Sequence, residues 1–500
     1  MGDNASGDRE RGALARLTGW FDSRLGLSHQ FLRPAPNYSL SPFYWLGALT
    51  VVAFVIQGVT GIVLALYYVP SPSQAYSSTL YIFNTVSYGR FLETIHLYTA
   101  YAMIMLAFMH MMRGYFVSVH KKPREVMWMV GMGMGFVTLG FGFTGYLLPW
   151  TVVSKSATDV GVGMVRALPQ SVASFLNFLI VGAGDDAGEL LRFYNLHVIV
   201  LPAVLLVLLT LKMYMLESHG ISEPMTGEEV GERDQKLVPI FPDVTLYLLQ
   251  LATIFGAGML LISALFPLTL PAQFSPQLAG QSVVQPEWYF LWIYQILKFS
   301  IFEGRNLPYA LGIVTIIFLL LIFLPFIDRS STRKIRDRPR YVALGAIFAA
   351  EVVALAVWGL LTPGQTIPNT QAALVLGGIA ILVAVVSLGI YRLIFGRMLR
   401  NMPMTKSIPG PVQSRMIWTN ASFVLILLVG TLSLGTIINS IVNLTLGGYA
   451  ITLLGQLILS LLGLFCSVLA ATYLLYRLDL GTGRIRRRIK AFEVGWRGKQ

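Results

Sequence analysis

Residues 91–116 read FLETIHLYTAYAMIMLAFMHMMRGYF, and two of those letters decide the fold. The stretch is apolar and longer than the ~20 residues that cross a bilayer. It nonetheless carries His96 and His110, fourteen residues apart. A helix turns ~100° and rises ~1.5 Å per residue, so fourteen residues return to nearly the same face ~21 Å further along. Ionisable groups inside a span are costly and usually functional. The flanking runs repeat the interval: Gly47 and Gly61 before, Gly131 and Gly145 after. Two imidazoles on one face present nitrogens at two depths, and glycines at those depths on the neighbours leave room for two large flat groups. A helix bundle holding two stacked haems has these requirements.

Working outward, the 500 residues are 55% hydrophobic and only 12% charged. Soluble domains are nearer a quarter charged. The expected fold is all-α: a polytopic membrane protein with about ten transmembrane helices and a four-helix haem-binding bundle in the N-terminal half. The spans read near 43–68, 92–116, 127–148, 190–215, 244–266, 308–326, 341–361, 371–396, 416–441 and 449–477. The single cysteine, Cys466, excludes disulfides, a cysteine-ligated iron–sulfur cluster and covalent CxxCH haem attachment within this chain. The net charge of +13 does not point to nucleic acid, because the basic residues fall in alternate loops. His120–Arg124, Arg329–Arg340, Arg397–Arg415 and the tail from Arg484 are basic, whereas LTPGQTIPNTQ (361–371) and SIVNLTLGGY (440–449) carry no charge. This pattern places both termini in the cytoplasm of a plasma-membrane protein.

The organisation follows from these runs. Residues 1–40 form a polar, Arg-bearing cytoplasmic or interfacial segment rather than a signal peptide, with an amphipathic stretch at 10–35. Residues 41–216 form the four-span domain, 217–242 an acidic linker and 243–396 a second membrane domain. Residues 397–500 form an extra two-helix module with a basic tail. Two long loops on the outer side, 149–189 and 267–307, are candidates for function.

Of six histidines, His29, His120 and His219 read as solvated or headgroup-facing. His96, His110 and His197 lie inside spans. A low-spin haem iron takes axial ligands from opposite sides. His96 and His197 stand near the outer ends of spans two and four and can face each other. His110 needs a partner from span four, where Leu211 and Lys212 lie fourteen and fifteen residues past His197. Leu211 cannot ligate, and Lys212 can if neutral. Pro202 lies between and can add the bulge that fifteen residues require.

FYWLGALT (43–50), HKKPREVMW (120–128), FGFTGYLLPW (141–150), RFYNLHVIVLP (192–202), ESHGISEP (217–224) and QPEWYFLWIYQILK (285–298) together resemble the cytochrome b subunit of bc-type quinol oxidoreductases over about residues 30–395. The first half most resembles the photosynthetic b–f branch. The resemblance implies two b haems, one on His96 and His197 and one on His110 and the Lys212 position. It implies a quinol site whose Glu287 accepts a proton, helped by Tyr294 and lined by Tyr146. Arg113 and Arg192 match basic positions near the haem propionates or the outer site. Glu217, His219 and Arg33 are candidates for an inner quinone site. The implied reaction is quinol oxidation outside and quinone reduction inside, coupled to proton translocation. The implied partners are a Rieske-type iron–sulfur protein, a c-type cytochrome or copper-protein acceptor, and a second copy in a homodimer.

Four positions depart from the family pattern. Lys212 replaces a histidine, leaving ligation, snorkelling without a second haem, or a five-coordinate haem on His110 as alternatives. Glu93 stands where the family has arginine, with Arg90 one turn earlier. Trp45 stands where the photosynthetic branch has a haem-tethering cysteine. Spans nine and ten exceed the usual eight. Two other classes compete. A haem-bearing anchor of another dehydrogenase would not need the PEWY loop or ten spans. A secondary transporter would use the intramembrane His and Lys as ion sites.

Overall fold

The computed structural model describes residues 34–392, except 37–38, 183–184, 223–236, 241–243, 281–284, 331 and 334–336. His29, Arg33, the two added spans and most of the 10–35 segment lie outside the described residues. Among those described, eight helices are long and apolar enough to cross a membrane. They are Leu46–Ala65, Gly89–Phe116, Glu125–Leu147, Asp186–His219, Thr245–Leu265, Gly304–Ile322, Pro339–Leu361 and Asn369–Arg392, here the first to eighth spans. Their outward faces stay apolar, with Ile62, Val207, Leu361 and Leu374 all exposed, as a lipid-facing surface requires.

Spans one and two pack against each other, as do three and four, and span two also meets span three, so four helices enclose one interior. Ala53 and Met103 meet Leu205 there. The fourth span is not a uniform α-helix. Leu196–Val200 form a π turn, in which the N–H of Leu201 bonds to the carbonyl of Leu196. Pro202 follows one residue after it and has no N–H to return to the preceding turn. The wider turn accommodates one extra residue, as the spacing between His197 and Lys212 requires.

The second half clasps the first at both ends. At the end nearer His110, Asp328 is fully buried and accepts from His120 Nε2 at 2.8 Å, with Lys121 Nζ at 3.2 Å and Arg338 also bonded to it. Trp128 Nε1 donates to Leu321 O at 2.7 Å and Tyr115 Oη to Tyr341 O at 2.8 Å. His120 is therefore not solvated as its basic neighbourhood suggested; it is fully buried because a carboxylate 208 residues away supplies its partner. Pro34–Pro36 pairs antiparallel with Leu237–Pro239.

At the end nearer His96, GYLLPW closes the third span in a turn where Trp150 has φ +52°. Val152 N donates to Ala272 O at 3.0 Å and Phe274 N to Trp150 O at 3.1 Å, joining the two long loops. Thr151 and Ser154 form a reciprocal capping box that starts the helix Val152–Arg166. Lys155, buried on that helix, binds Asp159 and lies 3.1 Å from Asp186 and 3.9 Å from Glu189.

Candidate cofactor-binding site

The fourteen-residue interval brings four side chains to the bundle interior, each opposite a glycine. A Cβ on Gly61 would stand 3.2 Å from His96 Cε1, and one on Gly145 would stand 2.5 Å from His197 Cε1. A Cβ on Gly47 would meet His110 Cε1 at 3.0 Å, and one on Gly131 would meet Lys212 Nζ at 2.8 Å. The glycines seat these four side chains themselves, a closer function than clearing space for a flat group alone. Lys212 thus turns inward at the level of His110 instead of snorkelling to the surface, while Leu211 is exposed.

His96 and His197 face each other with ring centroids 6.3 Å apart and planes at 65°. A metal–imidazole bond is ~2 Å, so one metal atom between two ring nitrogens sets the ring centres ~6 Å apart. Both rings are oriented by a threonine one residue before the glycine they face. Thr60 Oγ1 donates to Ile56 O at 2.7 Å and stands 2.8 Å from His96 Nδ1. Thr144 Oγ1 donates to Gly140 O at 2.8 Å and stands 3.2 Å from His197 Nδ1. A hydroxyl has one proton, and here the i−4 carbonyl takes it. With the hydroxyl proton placed there, the ring is the donor at Nδ1, to Oγ1 and, for His197, also toward the Phe141 backbone carbonyl; that tautomer leaves each Nε2 lone pair bare and able to hold a metal. Gln57 also donates to the His96 carbonyl.

The second pair lacks this support. Leu46 and Val130 precede Gly47 and Gly131, and neither carries a hydroxyl. Among the described residues, the buried His110 Nδ1 has no hydrogen-bond partner. The donor set still fits a haem: one imidazole and one amine from facing spans, each relieved by a glycine.

The remaining predicted site residues divide. Arg113 lies over the Tyr44 ring at 4.1 Å and donates to Ser222 Oγ at 3.2 Å, at the His110 end. Arg192 donates to Gly188 O at 3.4 Å and packs on Gly182 in the loop at the His96 end. Glu217 and His219 are exposed, with His219 Nδ1 2.9 Å from Met215 O. Arg124 joins that segment by donating to His219 O at 3.0 Å and Ile221 O at 3.3 Å. Trp45 Nε1 donates to Ser39 O at 2.7 Å. Arg90 reaches Asn84 Oδ1 at 3.3 Å and the Phe83 ring, away from the interior.

Glu287 projects from the loop after the fifth span and accepts a hydrogen bond from Tyr101 Oη at 2.7 Å. Burial pushes its carboxyl up, while the Tyr101 hydroxyl and the Trp288 backbone pull it back. Tyr146 is an electrostatic neighbour of Glu287 on the third span. Tyr294 is engaged elsewhere: Gly364 N donates to its hydroxyl at 3.0 Å, and Lys298 sits 4.9 Å over its ring. Sequence reading missed Thr60, Thr144 and Tyr101. The recurrence of Thr before Gly at both upper positions is a signal that would have found the first two.

Residues 101–282 match the family described as cytochrome b(N-terminal)/b6/petB, and residues 276–385 match cytochrome b(C-terminal)/b6/petD. A cytochrome bc complex cytochrome b subunit of Chlorobaculum thiosulfatiphilum is 33% identical over 352 residues, covering 69% of this chain and 80% of that protein. A cytochrome b of Sulfolobus acidocaldarius is 30% identical over 481 residues, covering 88% of this chain and 83% of that protein. A cytochrome b6 of Heliobacterium mobile is 41% identical over 192 residues, covering 38% of this chain and 90% of that protein. Among solved structures, a chain of a hyperthermophilic respiratory Complex III superposes with a TM-score of 0.63 at 26% identity, over 76% of this chain and 99% of its own length.

Proposed function

The chain belongs to the cytochrome b family as the cytochrome b subunit of a bc-type complex, and on that premise we propose that it oxidises quinol at the His96 end and reduces quinone at the His110 end. The observation that supports this best is the pair of imidazoles from spans two and four, 6.3 Å apart, with both Nδ1 atoms held by threonines. Proteins of this family bind b-type haem, which supplies a one-electron store when bound. His96 and His197 would hold one haem, and His110 and Lys212 the other. Lys212 ligates only as the neutral amine, so taking up the haem releases its proton.

The chain's own residues do the proton work. Glu287 receives the quinol proton at the outer face, where it is half-buried among Tyr101, Trp288 and Tyr289. Tyr146 lines the same pocket. At the opposite face, Arg113, Ser222 and the segment around His219 form the polar edge where quinone would be reduced and protons taken up. With one cysteine in the sequence, a cysteine-ligated acceptor cluster belongs to a separate Rieske-type chain, which passes electrons to a c-type cytochrome or copper protein. The basic loops support a plasma-membrane location with the His110 end in the cytoplasm, and the family resemblance supports a homodimer as the functional unit.

The test is a haem-to-protein ratio with a redox titration of the purified complex. Two b-type components are expected in the wild type. Lys212→His should keep both and shift the potential of one, and Lys212→Leu should lose or loosen that one. Two unchanged components in Lys212→Leu would refute the amine as ligand. Retention of the other component in His197→Leu would refute the reading as a whole.

A further inference from the structure

We propose that Tyr101 is a positioning residue for quinol oxidation: it latches the ionised Glu287 carboxylate toward the quinol and releases it once the carboxylate has taken up a proton. The inference rests on the reading of Glu287 as proton acceptor given above. Tyr101 lies five residues past His96, so it points ~140° away from the ligand face and ~7.5 Å deeper along the helix. That direction carries it to the loop after the fifth span, where its hydroxyl donates to Glu287 Oε2 at 2.7 Å. That length suits a hydroxyl donating to either form of the carboxyl, and the bond is roughly twice as strong when the carboxyl is ionised.

The tyrosine is fixed and the glutamate is the moving part. The Tyr101 ring packs against Trp288 at 6.2 Å and 77°, Tyr289 at 6.3 Å, and Tyr98 at 6.4 Å. Tyr98 is itself tied to Phe266 O at 2.8 Å and Tyr289 to Gly142 O at 3.2 Å. Among the described residues, the titratable groups facing Glu287 are Tyr101 of the second span, Tyr146 of the third and Tyr289 of its own loop. No cation is among them, so the hydroxyl of Tyr101 is the principal side-chain support for the anion. In the step itself, the quinol O–H bond breaks and a Glu287 O–H bond forms. The quinol oxygen keeps the electron pair, and Tyr101 keeps its own proton. The carboxyl is then neutral, its bond to Tyr101 falls to the neutral strength, and the side chain is free to turn to water. An unprotonated Glu287 stays in place, so the pocket does not open without cargo.

The experiment compares Tyr101→Phe, Tyr101→Gln and Glu287→Gln in the assembled complex, with the haem spectrum as the check on folding. Tyr101→Phe should lower quinol oxidation about tenfold on the acid limb of the pH profile and leave the alkaline plateau in place, the scale of one bond to a charged group. The infrared carboxyl band that disappears in Glu287→Gln should shift in Tyr101→Phe. Tyr101→Gln, which keeps a donor, should restore both. If the pH profile and the band are unmoved in Tyr101→Phe, or if Tyr101→Gln folds but restores neither, Tyr101 only packs and the latch is refuted. If Glu287→Gln itself oxidises quinol normally, the reading of Glu287 falls first and the latch falls with it.

Discussion

At the His110 end, one buried anion, Asp328, is surrounded by His120, Lys121 and Arg338. At the His96 end, one buried cation, Lys155, is surrounded by Asp159, Asp186 and Glu189. The two ends are charge negatives of each other, and they also differ in exposure. Asp328 and His120 are fully buried, whereas Asp159 and Asp186 are about half exposed. The inward histidines show a parallel contrast. His96 and His197 each have a threonine on Nδ1, and His110 Nδ1 has no partner among the described residues. A common spacing of ligand and glycine is therefore finished differently at each depth. The interval sets where a ligand can stand, and the neighbouring polar atoms set how firmly it stands there.

The largest effect that tests this contrast is Asp328→Ala. Three cationic or polar partners would be left buried without their anion, which costs about 3–5 kcal/mol. Thermal unfolding of the complex should show that loss, while Lys155→Ala, which strands only Glu189 in a buried place because Asp159 and Asp186 are about half exposed, should show less; equal losses would break the comparison.

Next in size is a pair of glycine substitutions. Gly145→Ala forces a Cβ to 2.5 Å from His197, whereas Gly47→Ala brings one to 3.0 Å from His110. Overpacking of this kind costs about 1–3 kcal/mol. The His96-end haem component should weaken more in Gly145→Ala than the other does in Gly47→Ala, as read from the bound haem ratio.

The threonines come third. Thr60→Val or Thr144→Val should lower haem retention about 10–100-fold at one site only, the usual effect of losing the group behind a ligating imidazole. Leu46→Thr, which places a hydroxyl before Gly47 as Thr60 stands before Gly61, should tighten the His110 site instead. No change in either direction would show that the hydroxyls do not orient the rings.

The smallest effect is on pH dependence. Burial pushes His120 below its ordinary value. Burial pushes Asp328 up, but His120, Ser330, Arg338 and Lys121 together hold it well below the carboxylate range. An unfolded histidine takes a proton below about pH 6.5 and an unfolded aspartate below about pH 3.9, while these folded groups still resist. Stability of the His110 end should therefore fall as pH drops through that window. Burial lowers Lys155, but Asp159, Glu189 and Asp186 raise it beyond that, so its contribution persists to about pH 10.4 and is lost as pH rises through the higher folded value. Hydrogen exchange should open 117–124 first in acid and 152–166 first in alkali.

The sequence made the spans, the inward histidines and the paired glycines legible because all three are periodic along one helix. It also located the irregularity in the fourth span from one proline and an odd spacing. It misread His120, since nothing near residue 120 discloses a partner at residue 328. It offered Tyr294 for Glu287 because both lie in one motif, while the nearer hydroxyl, Tyr101, comes from a span where a tyrosine looks like ordinary apolar filling. The direction of Lys212 was equally hidden, because a lysine near a helix end reads the same whether it turns to lipid headgroups or into the bundle.

The π turn at Leu196–Val200 has one more consequence. It stores a spare residue around His197, before the helix runs on to Lys212. Deleting one residue there would let the helix revert to an even winding without carrying Lys212 off its side of the bundle. The two halves of that span are thus decoupled in register, and the side chain at 212 can be exchanged without disturbing the one at 197.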